Sequence, residues 1–251
     1  MRRVASEFIE GRNAVSEALR ARVPLEKILI AEGAAGSPVD SVERLAARAS
    51  VPVERVGRKR LDSMSERGAH QGVIALATPF AFTSIDEVIR GIADCPAALV
   101  VVLDHVYDPG NLGVIVRSVD VAGGDAVIVP KRRTAPVGAA AYKSSAGALA
   151  HVPVVQEANI VQVLERLKRE RFWVAGADAS ADALAWDAPL DGRLALVLGS
   201  EGEGLSRLVR EKCDFLVRLP VAGHVDSLNV AQAATVLAFE WVRKVTAGDA
   251  T

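Results

Sequence analysis

The stretch LVVVLDHVYDPGNLGVIVRSVDVAGGDAVIV, residues 99–129, contains the alternation that decides the fold. It begins with a strand-like run at 99–105 that is apolar up to Leu103, passes through a turn-forming segment into a helical stretch at 112–122, and ends in an apolar run at 126–129. Strands that read as unbroken Val/Leu runs are buried on both faces, and helices between such strands are typical of parallel sheets. The stretch therefore predicts a β–α–β unit.

The same alternation continues toward the C-terminus. Further strand-like runs lie at 173–176, 194–199 and 215–219, and helical stretches lie at 137–146, 160–169, 205–212 and 228–245. We therefore expect residues 97–251 to form an α/β domain, with a parallel sheet covered by helices on both faces.

The last helical stretch, 228–245, carries two apolar stripes rather than one. Val230, Ala234, Leu237 and Trp241 form the first stripe, and Ala231, Ala238, Val242 and Val245 form the second. Because a helix that is apolar on two sides needs two partners, we expect its own sheet to cover one stripe and a second subunit to be a candidate for the other.

Residues 1–80 read as a separate, smaller α/β unit. Helical stretches lie at 13–22 and 39–49, and strands lie at 27–31, 51–56 and 71–77. Residues 81–96 carry one short helical stretch and are expected to link the two domains.

Composition bounds the function classes. Half of the 251 residues are hydrophobic, which is enough for a sizeable core. No apolar run approaches the roughly 20 residues that a membrane span needs, and residues 1–10 lack a signal-peptide pattern, so we expect a cytoplasmic protein with no membrane partner.

Cys95 and Cys213 are interpreted as reduced thiols. The formal charge is +3 over residues 1–80 and −2 over 96–251, a weak indication of a more basic front end.

Three loops that follow predicted strands carry the polar residues of interest. In an open α/β sheet, ligands bind beyond the carboxyl ends of the strands. The first loop, DHVYDPGNLG at 104–113, leads into a helix that contains Arg117. The simpler interpretation of this loop is an Asp-Pro-Gly turn with Asn111 as the helix cap and Arg117 as a surface residue paired with Asp120.

The second and third loops are also ambiguous when taken alone. GSEGEGL at 199–205 has flexible glycines but neither the order of a dinucleotide fingerprint nor a P-loop lysine, and its two carboxylates suit a cationic ligand better than a phosphate. The third segment, LP at 219–220 followed by VDSLNV at 225–230, is equally compatible with an ordinary helix cap at Asp226 or Ser227.

Several other chemistries are disfavoured by the residue inventory. The four histidines, at 70, 105, 151 and 224, are scattered and show no metal-ligand spacing, so no metal site is expected. The chain has no G-x-S-x-G motif, which argues against a hydrolase that uses a serine nucleophile of that type.

Taken together and in this order, the loops resemble the signature of the SpoU-like branch of the SPOUT RNA methyltransferases. The matching segments are DPGNLGVIVRS at 108–118, LALVLGSEGEGL at 194–205 and SLNVAQA at 227–233, with SAGAL at 145–149 as a fourth. GRNAVSEALRA at 11–21 and HQGVIA at 70–75 are similar to the accessory N-terminal domain of the family. The chain most resembles the bacterial enzymes that methylate guanosine ribose in 23S ribosomal RNA.

The resemblance implies a catalytic domain with a C-terminal trefoil knot, S-adenosylmethionine (AdoMet) as cofactor, ribosomal RNA as substrate, and a homodimer formed through the knot region. By position it implies catalytic roles for Asn111, Arg117, Glu201, Ser227 and Asn229. It implies cofactor contacts at Gly199, Leu219, Pro220, Ser227 and Leu228. Where relatives often have Glu after Ser-Ala-Gly-Ala, this chain has Ala150.

The resemblance also implies that the N-terminal domain recruits RNA. Arg12 and Asn13 begin the first helical stretch, and Arg58, Lys59 and Arg60 follow the second strand. Such residues can contact phosphates without reading bases, although an ordinary solvated charged face is equally compatible with the pattern.

Alternative functions remain open at this point. The substrate alternatives are transfer RNA and the ribosomal target of an antibiotic-resistance methylase. From other classes, the alternatives are a non-catalytic RNA-binding protein and a nicotinamide oxidoreductase. The retained polar loop residues argue against the first of these, and the missing glycine order argues against the second.

Overall fold

The computed structural model describes residues 7–65 and 68–248, which form two compact units. The first unit contains the described residues up to Ala81 together with Val137–Lys143. The second contains Phe82–Pro136 and the described residues from Ser144 onward.

The first unit is built on a four-stranded sheet with helices on both faces. Its elements are β1 (Glu7–Glu10), α1 (Arg12–Arg20), β2 (Leu25–Ala31), α2 (Ser37–Arg48), β3 (Val53–Val56), α3 (Arg58–Met64) and β4 (Val73–Ala77), in the strand order β1-β4-β2-β3. Alternate residues of β2 point to opposite faces. Ile28 and Ile30 pack with α1 and α2, whereas Leu29 packs with Leu61 of α3. The pattern of apolar residues did not predict β1 or α3.

The second unit contains a six-stranded sheet in which every neighbouring pair is parallel. Its strands are β5 (Ala98–Leu103), β6 (Ala126–Pro130), β7 (Val154–Glu157), β8 (Trp173–Ala177), β9 (Arg193–Leu198) and β10 (Phe215–Val217). Their order is β10-β8-β9-β5-β6-β7, and β5 is buried throughout. The predicted α/β fold with a parallel sheet is confirmed. The short strand β7 was not predicted, and the trefoil knot stays a prediction.

Helices connect these strands. They are α4 (Ile85–Gly91), α5 (Pro109–Val121), α6 (Ala139–Ser145), α7 (Ile160–Arg169), α8 (Arg207–Lys212) and α9 (Val230–Gly248). Helix α4 lies in the interval expected to be a linker, yet Ile85, Val88 and Ile89 belong to the core of the second unit. Residues 85–92 therefore stabilise that unit rather than only connecting it.

The second apolar stripe of α9, for which another subunit was a candidate partner, is covered in part within the chain. Ala231 and Ala238 of that stripe are almost fully buried within the chain. Helix α5 lies alongside α9, and the hydroxyls of Ser118 and Thr235 are 2.6 Å apart between them. The second partner that the sequence pattern required is therefore supplied largely by α5.

Within residues 7–65 and 68–248, no helix combines the length and apolar character that crossing a membrane requires.

Candidate active site

The strand order places two of the three polar loops side by side. From β5 the chain moves to β6 on one side, whereas β9 lies on the other side of β5. The loops after β5 and β9 therefore flank the point where the order of the strands reverses, which is where open α/β sheets bind ligands. The backbone amide of Asp104 donates to the carbonyl of Leu198 at 2.7 Å, so the two loops start in contact.

Helix α5 is capped by Asp108 and not by Asn111. The Asp108 carboxylate accepts hydrogen bonds from the amides of Gly110 at 3.0 Å and Asn111 at 3.2 Å. Pro109 occupies the first helical position, where its missing N–H costs nothing. The Asp-Pro pair is the local signal that predicts this cap. Because Asp108 satisfies the helix terminus, the side chain of Asn111 is available for other contacts.

Asn111, Glu201 and Asn229 form one hydrogen-bonded cluster, although they are far apart in sequence. The Asn111 Nδ2 donates to Glu201 Oε1 at 2.8 Å, and the Asn229 Nδ2 donates to the same oxygen at 2.6 Å. The Asn229 Nδ2 also lies 3.1 Å from Asn111 Oδ1. The cluster thus presents one carboxylate held by two amides at the carboxyl edge of the sheet.

Asn229 has a second role, as the cap of α9. Its Oδ1 accepts a hydrogen bond from the amide of Ala231 at 2.8 Å. The alternative cap residues, Asp226 and Ser227, are not used in this way. Because its oxygen binds the helix terminus and its amide binds Glu201, Asn229 couples the position of the last helix to the candidate site.

The glycine loop at 199–205 is held closed by its own backbone. The Ser200 amide donates to the Gly204 carbonyl at 3.1 Å, and the Gly204 amide donates to the Ser200 carbonyl at 3.0 Å. The backbone of Gly204 crosses so near Gly199 that a Cβ at position 199 would lie 2.0 Å from the Gly204 carbonyl carbon. Gly199 is therefore required for the loop that carries Glu201.

A buried carboxylate, Asp104, joins two of these loops and was not predicted as a site residue. Asp104 is 1% exposed, accepts a hydrogen bond from the Ser206 amide at 2.7 Å, and lies 2.6 Å from the His105 Nδ1. His105 adopts a left-handed backbone conformation with φ 63°. The only sequence signal for Asp104 was its position at the end of a buried strand.

Arg117 lies on α5 but does not join the cluster. Its side chain is exposed, and within the described residues it makes no hydrogen bond or ion pair, including with Asp120. Val114 and Val121 lie on the same stripe of the helix at i−3 and i+4, and both are exposed. Arg117 is therefore a cation on an open, partly apolar surface.

The remaining predicted site residues line the segment between β10 and α9. Leu219 is half-buried, whereas Pro220, Ser227 and Leu228 are exposed. Val221 and Val225 are exposed as well, so the segment that leads to Asn229 offers apolar side chains. These apolar side chains and the Glu201 carboxylate, which Asn229 contacts, suit a ligand that combines apolar surface with positive charge.

The comparison with protein families identifies the second unit. Residues 98–239 match the model of the SpoU rRNA Methylase family. This chain belongs to the SpoU rRNA methylase family. It is accordingly an RNA methyltransferase, and residues 8–83 match the model for RNA 2′-O ribose methyltransferase substrate binding.

Similar proteins cover nearly the whole of this SpoU-family chain. A protein of Staphylococcus haemolyticus named as a TrmH family tRNA/rRNA methyltransferase is 40% identical over 94% of this chain and 95% of its own length. The SpoU methyltransferase AviRb from Streptomyces viridochromogenes, crystallised with its cofactor AdoMet, is 27% identical, with a TM-score of 0.67 over 96% of this chain and 90% of its own. A crystal structure described as an RNA 2′-O ribose methyltransferase is 29% identical, with a TM-score of 0.59 over 94% of this chain and 88% of its own.

In the substrate-binding unit of this SpoU-family chain, some of the residues predicted to bind phosphate already make hydrogen bonds or ion pairs within the chain. Arg12 Nε donates to the Gln71 carbonyl at 3.0 Å, and Arg60 pairs with Glu54 at 3.0 Å. Asn13, Arg58 and Lys59 are exposed, and Arg58 and Lys59 lie in the first turn of α3. Arg58 and Lys59 make no hydrogen bond or ion pair within the described residues.

Among residues 7–65 and 68–248, no group of three or more His, Cys, Asp or Glu side chains is arranged to hold a metal ion. Burial raises the pKa of the Cys213 thiol to about 12, so this cysteine stays protonated at neutral pH.

Proposed function

We propose that this protein transfers the methyl group of S-adenosylmethionine to a ribose 2′-hydroxyl of ribosomal RNA, and that the nucleotide is a guanosine of 23S rRNA. The observation that supports this most directly is the cluster of Asn111, Glu201 and Asn229 at the carboxyl edge of the sheet. The cluster joins all three loops of the family signature.

The residues present fit the proposed cofactor. AdoMet combines an apolar adenosine and thioether framework with a positive sulfonium. Apolar surface for the adenosine and thioether framework is offered by the exposed side chains of Val221, Val225 and Leu228 and by the half-buried Leu219. Negative charge for the sulfonium is offered by Glu201. Gly199, Leu219, Pro220, Ser227 and Leu228 are the residues that we assign to hold the cofactor. When bound, AdoMet supplies an electrophilic methyl group.

The protein residues then position the ribose and stabilise charge. Glu201 is held by two amide donors, so its orientation is set before the substrate arrives. Holding reactants in near-attack geometry contributes roughly 7–11 kcal/mol to lowering such barriers. Ser227 is exposed and lies two positions before Asn229 in the sequence, and we assign it to the same polar network.

Arg117 is assigned to bind the phosphate next to the reacting ribose. A guanidinium stays protonated in proteins, so it does not act as a general base. It does form strong, often bidentate hydrogen bonds to phosphate and stabilises a developing alkoxide electrostatically. Its exposure and its lack of bonds within the described residues leave it available for this role.

The proposal is tested by mapping 2′-O-methyl groups. We expect one position of 23S rRNA to lose its 2′-O-methyl group when the gene is deleted, and purified protein with AdoMet to restore it on the unmodified RNA. Transfer RNA from the same cells serves as the parallel substrate. Methylation of tRNA alone would replace the 23S assignment, and no 2′-O-methyl product in either RNA would refute the proposal.

We further propose that the protein works as a homodimer whose interface includes α5 and α9. The two helices lie side by side, and within the chain they leave Val121 65% exposed and Phe239 45% exposed. Contiguous exposed apolar patches mark interaction surfaces, and we assign these two side chains to such a patch.

Replacing Phe239 by Glu is expected to convert the dimer to monomer, because a charge in an apolar interface must lose its hydration. Leu208→Glu is the matched control, since Leu208 is 54% exposed on α8, a helix that packs against α7. Light scattering at micromolar concentration measures the mass. A wild-type protein that is monomeric and fully active contradicts the dimer.

The substrate-binding unit is expected to contribute phosphate contacts through Arg58 and Lys59. Replacing both by Gln removes charge without breaking a bond of the folded unit, so the melting temperature stays unchanged. The slope of log affinity for 23S rRNA against log salt flattens by about 0.7–0.9 for each phosphate contact that is lost. Filter binding at several salt concentrations measures the slope, and an unaltered slope excludes this pair as phosphate contacts.

Deletion of residues 1–81 tests the same role less cleanly than the double substitution. Ala139 and Tyr142 pack against Ala18 and Val23, so the deletion also removes packing partners of residues that remain.

A further inference from the structure

A run of three basic residues follows β6 and is not part of the site described above. Lys131, Arg132 and Arg133 are consecutive and all exposed. Strand β6 is the parallel neighbour of β5, so its carboxyl end lies at the same edge of the sheet as the candidate site. We call residues 131–136 the basic loop.

The basic loop lies against the first loop of the candidate site. The amide of Ala135 donates to the carbonyl of Val106 at 2.8 Å, and Ala135 is almost fully buried. Val106 stands between the buried Asp104 and the helix cap Asp108. The basic residues are thus held next to the segment that positions Asn111.

The three positive charges are not used by the fold. Within the described residues, none of the three side chains takes part in an ion pair or hydrogen bond. Elsewhere in the same unit, Lys168 pairs with Asp214 and Lys212 pairs with Glu165. The nearby carboxylate of Asp108 is engaged in capping α5. The charge of the basic loop therefore remains available to a ligand.

The backbone of the loop also argues against a purely structural role. Arg133 has φ 57°, a left-handed conformation that costs energy for residues other than glycine. The hydroxyl of Thr134 is buried with no hydrogen-bond partner in the described structure. Unsatisfied buried groups and strained residues concentrate at functional sites, because they do not stabilise the fold.

We propose that the basic loop binds backbone phosphates of the substrate RNA next to the nucleotide that is methylated. This inference rests on the proposed function and adds to it a second phosphate-binding element, on the catalytic unit itself. Residues 96–251 carry a net charge of −2, so RNA is attracted to this unit by local clusters and not by its overall charge. Lysine and arginine bind phosphate without reading the base, so the loop sets register and affinity but not sequence preference.

The test compares two triple variants that each remove three positive charges. The first is Lys131→Gln, Arg132→Gln and Arg133→Asn, in which Asn suits the left-handed backbone. The matched control is Arg90→Gln, Arg169→Gln and Arg171→Asn, because these are exposed arginines of the same unit and Arg171 also has a positive φ, of 64°. The measurements are filter binding of in vitro-transcribed 23S rRNA at several salt concentrations, steady-state methyl transfer, and AdoMet titration.

We expect the loop variant to bind RNA at least about tenfold more weakly at moderate salt and to flatten the log–log salt slope by about 2, at about 0.7 for each contact to single-stranded RNA. Its KM for RNA rises, kcat stays near the wild-type value, and AdoMet affinity is unchanged. The control variant retains the wild-type slope and KM.

Three outcomes overturn the inference. One is a loop variant with the wild-type slope and KM, another is equal weakening in both triple variants, and the third is a change confined to kcat. Failure of the proposed function is distinguishable from these, since it appears as a wild-type protein that forms no 2′-O-methyl product. In that case the salt slope still reports whether the loop binds RNA.

Discussion

Replacing Arg117 by Ala is expected to slow methyl transfer by about 10²–10³-fold, the usual loss when a group that stabilises charge in the transition state is removed. Arg117 is exposed and makes no bond within the described residues, so its truncation leaves no buried group without a partner. The free energy of unfolding should therefore change by less than about 0.5 kcal/mol. AdoMet binding should be unaffected.

Single-turnover methyl transfer on 23S rRNA measures the loss of rate. Thermal unfolding with and without AdoMet measures the change in stability and the binding of AdoMet. Arg169→Ala is the control, because Arg169 is an exposed arginine of α7 in the same unit. Arg117→Lys separates charge from geometry, since lysine keeps the charge but loses the planar donor pair. A turnover of Arg117→Ala close to that of the control would refute the assigned role.

Replacing Gly199 by Ala is expected to abolish both AdoMet binding and methyl transfer. The added Cβ would lie 2.0 Å from the carbonyl carbon of Gly204, 2.1 Å from its oxygen and 2.4 Å from the amide nitrogen of Leu205. All three atoms belong to the backbone, so no side-chain rotation relieves the clash. The loop must open, which breaks the paired hydrogen bonds between Ser200 and Gly204 and displaces Glu201.

The expected cost in stability is about 1–3 kcal/mol, which is typical of overpacking. Calorimetric titration measures the affinity for AdoMet, and chemical denaturation measures the loss of stability. Gly91→Ala is the control, because nothing lies within 4 Å of a Cβ at that position and its φ is not in the left-handed range. AdoMet affinity equal to that of wild type in Gly199→Ala would show that this loop does not hold the cofactor.

The sequence by itself determined the elements in which apolar residues follow a regular pattern along the whole length, either as an unbroken run or as a helical stripe. The strand-like runs at 99–105 and 194–199 predicted β5 and β9 to within two residues at either end, and the helical stretch at 160–169 predicted α7 with its observed ends. Short elements with mixed burial were not predicted, because a strand such as β7 has too few residues to show an alternating pattern of apolar and polar side chains. The motif order was also sufficient to predict the family.

Which polar residues meet was decided only by the tertiary structure. Asn111 and Asn229 are 118 positions apart, and their contact requires β9 to lie beside β5 in a sheet with long crossover connections. Hydrophobic periodicity is a local property, so it reports that a strand is buried but not which strand lies next to it. The same limit explains why another subunit was only a candidate partner for the second stripe of α9, although α5 of the same chain lies alongside this helix and two residues of the stripe are buried. Sequence patterns specify that a surface is covered, and only the packing of the folded chain specifies by what.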